Sequence, residues 1–184
     1  MSALLLTHGA GANADAPLLL TVDEALTAVG IRVARYTLPF RRARPSGPPR
    51  AGDPERDRAG IREAAAVLGA RPFIGGHSYG GRQCSLLAAD EPEFAAGLLL
   101  LSYPLHPPRQ PENLRTAHFP NLHTPALFIH GARDPFGSPE ELGAAIELIP
   151  APTKLVIVER AGHDLRAADI GPTVAAAFRT FFAV

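Results

Sequence analysis

Six short apolar runs, separated by longer stretches with helical spacing, constrain the fold of this chain most strongly. Each run is nearly continuous in Leu, Ile, Val and Ala, which is typical of strands covered on both faces of a parallel sheet. We predict strands over residues 3–7, 31–36, 72–76, 97–102, 126–130 and 155–159. We predict helices over residues 17–29, 54–68, 80–90, 139–148 and 172–182. The alternation predicts the α/β class, as a three-layer α/β/α sandwich around a mostly parallel six-stranded sheet.

Four of the predicted helices begin with proline, and before three of these prolines the preceding residue is placed as an N-cap. These residues are Asp53, Ser138 and Gly171. Two segments read as long irregular loops: residues 41–57, dense in Pro, Gly and Arg, and residues 103–125, which are rich in proline. Both loops follow a predicted strand, so both are expected to border a site at the carboxyl edge of the sheet.

Size and charge exclude several classes of protein. The 184 residues fit a single domain over residues 1–184. With 18 basic and 18 acidic side chains the formal net charge is zero, which disfavours nucleic-acid binding. No apolar run is long enough to cross a membrane, and no secretory signal is visible. Cys84 is the only cysteine, which suits a reducing compartment, and we expect a cytoplasmic protein.

The strongest chemical signal is the glycine-rich stretch over residues 75–81, which reads Gly-Gly-His-Ser-Tyr-Gly-Gly. It contains the pattern G-x-S-x-G centred on Ser78, between a predicted strand and a predicted helix. A sharp strand-to-helix turn holds such a serine in a strained conformation, and glycines at Gly76 and Gly80 avoid collisions across it. This context predicts a nucleophilic Ser78. His77 is interpreted as structural.

An acid and a base follow Ser78 in the chain order expected of a Ser-His-Asp triad. Asp134 lies just beyond the fifth predicted strand, and His163 lies just beyond the sixth. Each residue alone is an ordinary loop residue, but three matches in order, each after its own strand, indicate a triad. Asp164 adjoins the histidine and is a weaker candidate for the acid. Asp169 is interpreted as part of the last helix start.

The first predicted strand runs into Thr7-His8-Gly9-Ala10-Gly11. A loop of this kind supplies one oxyanion N–H, here from Gly9 or Ala10, and the backbone N–H of Tyr79 supplies the other. The stretch also fits a dinucleotide fingerprint through Gly9, Gly11 and Ala14. That motif requires an acidic residue at the end of the second strand, where this sequence has Arg35-Tyr36-Thr37, so no nucleotide cofactor is expected.

These residues make the sequence resemble the α/β-hydrolase superfamily over essentially its whole length. The nearest likeness is the small, lidless, dienelactone-hydrolase-like branch, which includes the hydrolase-like domain of a subunit of the nonspecific-lethal complex. The resemblance extends to Arg41-Arg42-x-Arg44-Pro45, to residues 103–108, to Arg115-x-x-His118 and to residues 133–137. It implies a minimal α/β-hydrolase fold without a cap domain.

The sequence departs from this branch in two respects. His77 and Tyr79 occupy elbow positions where other members more often have Lys and Met. The two antiparallel strands with which the family begins do not precede the first predicted strand.

Candidate substrate contacts are the polar residues of the two long loops and of the first strand end. They are His8, Arg41, Arg42, His106, Arg115 and His118. His8 is also interpreted as a brace of its own loop. The arginines of residues 41–58 fit either a solvated loop or an attraction for an anionic substrate. His106, His118 and His123 show no recognised zinc spacing, so no metal is expected.

The sequence therefore predicts a serine hydrolase that cleaves a small ester, thioester or lactone through an acyl-enzyme. An acyltransferase or perhydrolase would use the same residues. The alternative from another class is a non-catalytic interaction module that retains the fold. We expect a small-molecule substrate as partner, and the sequence leaves the oligomeric state open.

Overall fold

The computed structural model of this protein describes residues 2–184 and contains the six predicted strands. They are β1 (Ala3–Thr7), β2 (Arg32–Tyr36), β3 (Phe73–His77), β4 (Gly97–Leu101), β5 (Ala126–Gly131) and β6 (Thr153–Val158). All neighbouring pairs are parallel, in the order β2-β1-β3-β4-β5-β6. The α/β fold class is therefore confirmed, with a sheet that is parallel throughout.

The five predicted helices are present, and two short ones join them. The helices are α1 (Pro17–Ala28), α2 (Pro39–Ala43), α3 (Asp53–Ala66), α4 (Tyr79–Asp90), α5 (Pro139–Ile146) and α6 (Ile170–Phe182), with a 3₁₀ turn at Phe119–Asn121. The pattern missed α2 and the 3₁₀ turn because neither is long enough to repeat a helical period.

Ser138 caps α5 as predicted, in a capping box with Glu141. The other two N-cap predictions are wrong. The N-cap of α3 is Gly52, one residue before the prediction. The Asp53 carboxylate does not cap the helix, because it accepts the N–H of Arg50 and pairs with Arg44 and Arg56. Asp169 is the N-cap of α6, as its assignment to the helix start predicted, and Gly171 lies inside the first turn.

Helices cover both faces of the sheet and bury two apolar clusters. On one face α1 and α6 pack through Leu19, Val22 and Phe178. On the other face α3, α4 and α5 pack through residues such as Ile61 and Leu87. Each fully buried large aliphatic or aromatic side chain contributes about 1.5–3 kcal/mol relative to exposure.

The edge strands are less covered than the sequence predicts. β2 and β6 are largely half-buried, whereas β1, β4 and β5 are buried along their whole length. Within residues 2–184, no cap domain interrupts the sheet connections, and no helix has the length and apolar character that a membrane crossing requires. The carboxyl ends of the parallel strands share one edge, which collects the loops of the site.

Candidate active site

Ser78 sits between β3 and α4 in a backbone conformation that non-glycine residues rarely adopt. Its φ is 51° and its ψ is −115°, and its N–H donates to the carbonyl of Leu101 at 2.9 Å. Such strain costs on the order of 1–3 kcal/mol and persists only where surrounding contacts enforce it. A Cβ at Gly80 would lie 2.5 Å from the carbonyl oxygen of His8, and one at Gly76 would collide with Thr7. The turn therefore requires both glycines.

One imidazole joins Ser78 to Asp134. The Oγ of Ser78 lies 2.8 Å from Nε2 of His163, and Nδ1 of His163 lies 2.8 Å and 3.0 Å from the two carboxylate oxygens of Asp134. Because Nδ1 faces a carboxylate, it carries the ring proton, and Nε2 is left to accept the hydroxyl proton of Ser78. The three residues occupy the geometry of a Ser-His-Asp triad.

Backbone contacts hold the acid loop against the histidine loop. The Asp134 carboxylate is buried and also accepts the N–H of Phe136 at 2.9 Å. The N–H of Arg133 donates to the carbonyl of Ala161 at 2.9 Å, which links the loop after β5 to the loop after β6. The carboxylate is therefore fixed before any substrate arrives.

Phe136 holds the imidazole of His163, and His77 holds its backbone. Phe136 stacks on the imidazole, with centroids 4.2 Å apart and planes inclined by 29°. Nε2 of His77 donates to the backbone carbonyl of His163 at 2.7 Å. Burial lowers the pKa of His77, which favours the neutral ring. The interpretation of His77 as structural agrees with this contact, although no sequence pattern indicated its partner.

Asp57 is a residue of the site that the sequence analysis did not single out. Its buried carboxylate accepts a hydrogen bond from the hydroxyl of Tyr79 at 2.7 Å and one from the N–H of Phe40 at 2.9 Å. Burial raises the pKa values of both Asp57 and Tyr79. Asp57 thereby anchors the residue whose N–H is the predicted oxyanion donor. No local pattern signals it, because its partners lie 17 and 22 residues away along the chain.

The loop after β1 lies directly beside the serine. A Cβ at Gly9 would stand 3.6 Å from the Cβ of Ser78 and 2.8 Å from Nδ1 of His77. The carbonyl of Gly9 accepts the N–H of Ala12 at 3.1 Å, which closes a turn. Participation of Gly9 or Ala10 in an oxyanion hole stays a prediction, as does that of Tyr79.

His8 and Arg41 brace this loop through hydrogen bonds to its backbone, and contact of either residue with a substrate stays a prediction. His8 is fully buried, donates from Nδ1 to the carbonyl of Gly9 at 2.8 Å and accepts the N–H of Leu38 at Nε2 at 3.0 Å. Burial lowers its pKa. The guanidinium of Arg41 is committed to backbone carbonyls, those of Ala10, Ala12, Arg44 and Gly47.

Arg42 and His106 also have partners other than the triad. The Arg42 guanidinium lies 4.6 Å from the ring centroid of Tyr36, a cation–π contact on β2. His106 is buried, donates from Nδ1 to the carbonyl of Pro107 at 2.8 Å, and its Nε2 faces Glu141 at 3.4 Å. The structure gives neither residue a position at Ser78.

Other arginines of residues 41–58 are paired within the protein. Arg44 and Arg56 bind the Asp53 carboxylate, and Arg58 donates to Gln83 at 2.9 Å. These pairs fit the solvated-loop interpretation better than an anion-binding role.

Arg115 and His118, by contrast, line a cavity of about 360 Å³ together with Arg82 of α4. His118 donates from Nε2 to Oγ of Ser85 at 2.8 Å, because that hydroxyl itself donates to the carbonyl of Arg82. This cavity brings two of the candidate contact residues together.

A larger groove of about 560 Å³ opens beside His77, between the start of α1 and the loop that carries His163. Its walls are mainly small and apolar, including Ala16, Leu165 and Ala168. Asp164, at its rim, pairs with Arg166 at 2.7 Å and so does not compete with Asp134 for the imidazole. The groove offers space for an apolar group next to the triad.

Cys84 lies apart from Ser78, in the core of the protein. Cys84 is fully buried in the apolar core, and burial raises the pKa of its thiol to about 12. Within the described residues, no group of three or more His, Cys, Asp or Glu side chains is arranged to hold a metal ion.

Comparison with known proteins agrees with this architecture. A family model described as an alpha/beta hydrolase domain matches residues 1–176. Among solved structures, Est1E from Butyrivibrio proteoclasticus is 16% identical, with a TM-score of 0.79 over 100% of this chain and 90% of that chain. A dienelactone hydrolase from Anabaena variabilis is 21% identical, with a TM-score of 0.76 over 100% and 86%. The putative non-heme bromoperoxidase BpoC from Mycobacterium tuberculosis is 15% identical, with a TM-score of 0.81 over 100% and 92%.

Proposed function

This chain belongs to the α/β-hydrolase domain family, and we propose that it is a serine hydrolase of small esters, thioesters or lactones. The observation that carries the proposal is the single imidazole of His163, bonded at 2.8 Å to both Ser78 and Asp134. A non-catalytic module has no need of a strained serine aligned with a buried carboxylate.

In the proposed first half-reaction, Oγ of Ser78 attacks the acyl carbon while Nε2 of His163 takes the hydroxyl proton. The tetrahedral oxyanion accepts hydrogen bonds from the N–H of Tyr79 and from that of Gly9 or Ala10. Collapse breaks the bond to the leaving group, which takes the proton back from Nε2. Asp134 stabilises the imidazolium that exists between these two transfers.

The second half-reaction releases the acyl group. His163 takes a proton from water, the resulting hydroxide attacks the acyl carbon, and Oγ of Ser78 leaves with the proton from Nε2. A carboxylic acid is formed, and the free serine is regenerated. No cofactor is needed for either half, since the catalytic protons pass through one histidine.

The surroundings of the triad support a small substrate. No cap domain covers the edge of the sheet within the described residues. The neighbouring groove of about 560 Å³ has mostly small apolar walls, which suits the apolar part of an ester. We therefore expect p-nitrophenyl esters of short acyl chains to be better substrates than those of long chains.

A fluorophosphonate probe tests the nucleophile directly, because it reacts covalently with an activated serine. We expect the wild type to be labelled and Ser78→Ala not to be. Ser46→Ala, which removes an exposed hydroxyl of the loop before α3, is the matched control and should label like the wild type. A folded wild type that takes no label, or label that persists in Ser78→Ala, would contradict the proposal.

A further inference from the structure

Two guanidinium groups converge on one side of α4 without an acidic partner. Arg82 of α4 and Arg115 of the segment after β4 line the same cavity of about 360 Å³. Neither forms an ion pair within the described part of the chain, in contrast to Arg44, Arg56 and Arg62. The Nε atom of Arg82 is buried and has no hydrogen-bond partner. A buried donor left without a hydrogen bond lowers stability by about 1–3 kcal/mol, and a charged donor lowers it by more.

The other groups in the cavity do not neutralise this charge. Burial, and then the charge of Arg82, lower the pKa of Arg115. The same two causes lower the pKa of His118 to about 4, so its ring is neutral near pH 7. The walls are completed by Leu86, Leu114, Ala117 and Asn121, none of which is acidic. An excess of positive charge therefore remains in a concave, partly buried place.

We propose that this cavity, which we call the α4 anion site, binds a phosphate group between Arg82 and Arg115. Guanidinium groups bind phosphate oxygens in pairs of parallel hydrogen bonds, and both Arg82 and Arg115 line the cavity without an acidic partner. A phosphate dianion balances two guanidinium charges, whereas a carboxylate balances only one. The amide of Asn121 at the rim supplies a further donor.

One residue of the α4 anion site, Arg82, lies close to the nucleophile along α4. The N–H of Arg82 donates to the carbonyl of Ser78 at 3.0 Å, which places the two residues one helical turn apart. Helical side chains lean toward the N-terminus of their helix, so the Arg82 side chain leans toward the elbow. The phosphate is thus either a free ion or a substituent on the substrate of Ser78.

Isothermal titration calorimetry with inorganic phosphate tests the site in the Ser78→Ala protein, in which hydrolysis cannot interfere. We expect binding that weakens at least about tenfold in Arg82→Gln and in Arg115→Gln. Arg109→Gln is the matched control: Arg109 is exposed on the same segment as Arg115, and its replacement should leave the affinity unchanged. Thermal melting verifies that each variant is folded, and Arg115→Lys, which keeps the charge but loses the fork, should bind with intermediate affinity.

The NMR signal of His118 gives a second readout, because a bound anion favours the protonated ring and should raise the pKa of His118 in the wild type but not in Arg115→Gln. Absence of phosphate binding, equal loss in Arg109→Gln, or acetate binding as tight as phosphate would overturn the proposal.

A p-nitrophenyl ester with a phosphate on its acyl chain distinguishes a free phosphate ion from a phosphate group on the substrate. If the phosphate belongs to the substrate, the phosphorylated ester should have a lower KM than the unsubstituted ester, and Arg115→Gln should abolish this difference. Equal KM values for the two esters identify a free ion. None of the binding results depends on labelling of Ser78, so failure of the proposed hydrolase function would be seen separately.

Discussion

His77 and His163 are joined by a hydrogen bond of 2.7 Å, from the ring Nε2 of the first to the backbone carbonyl of the second. His77, which directly precedes Ser78, therefore holds in place the loop that carries His163. Their rings also lie 5.1 Å apart, so His77 limits the position of the imidazole as well as that of the backbone.

We expect His77→Leu to lower kcat about ten- to a hundredfold on p-nitrophenyl acetate with little change in KM, because small misplacements of catalytic groups slow the reaction strongly. His77→Gln, which keeps an N–H donor on a planar side chain, should recover most of the rate. Equal losses in both variants, or a loss confined to KM, would show that the hydrogen bond does not position His163.

Asp134→Asn tests the role of the buried carboxylate. An amide cannot stabilise the imidazolium and favours the wrong tautomer of His163, so we expect kcat to fall by about 10³- to 10⁴-fold. Asp164→Asn is the matched control, because Asp164 adjoins the histidine but pairs with Arg166. Steady-state kinetics on both variants should show a large loss only for the first, and an unaffected Asp134→Asn enzyme would refute the assignment.

Tyr79→Phe should destabilise the protein by about 1–3 kcal/mol, because it leaves an oxygen of the buried Asp57 carboxylate without its partner. Tyr36→Phe, at a hydroxyl for which no hydrogen bond is seen, should change the free energy of unfolding by less than about 0.5 kcal/mol. Urea unfolding near pH 7 measures both values.

The pH dependence of stability adds a sharper criterion for the same pair. Burial raises the pKa of Asp57, so between its unfolded and folded pKa values the native state binds more protons and stability falls as the pH rises. Loss of the Tyr79 hydroxyl raises that pKa further. The destabilisation by Tyr79→Phe should therefore diminish as the pH falls toward 4, and a loss that is constant with pH would exclude Asp57 as its origin.

Filling the apolar groove beside His77 should change substrate preference. Ala168→Phe places a ring in its wall, so we expect KM to rise for esters with longer apolar groups and to stay constant for acetate esters. Ala176→Phe, exposed on α6 and outside this groove, is the control. Acyl-chain and alcohol-chain series should be measured for both variants, and unchanged KM values in both series would show that the groove does not hold substrate.

The apolar pattern was sufficient to predict every strand of the sheet, and the G-x-S-x-G motif with the chain order of acid and base predicted that Ser78, Asp134 and His163 lie together. The strand bounds in the structure differ from the predictions by at most two residues, because buried parallel strands have little freedom in their composition. Ser78 follows β3 directly, and Asp134 and His163 lie in the loops that begin at the ends of β5 and β6. The common edge of a parallel sheet therefore brought them together without further information.

Contacts between side chains and distant backbone could not be predicted in this way. Asp57 bonds Tyr79, and Arg41 bonds the carbonyls of Ala10 and Ala12, across about 20 to 30 residues of chain. Such contacts depend on how loops pack and leave no periodic trace. For the same reason a sequence pattern could not predict the burial of His8.

β6 lies at the edge of the sheet, and it is the strand that leads to His163. A strand paired on one side only opens more readily than a central one, and local opening of this kind precedes global unfolding. The proposed general base, His163, would then lose its position while most of the sheet is still intact. Enzyme activity in rising urea should therefore decline before the far-ultraviolet circular dichroism changes. Turnover then reports the local opening of β6.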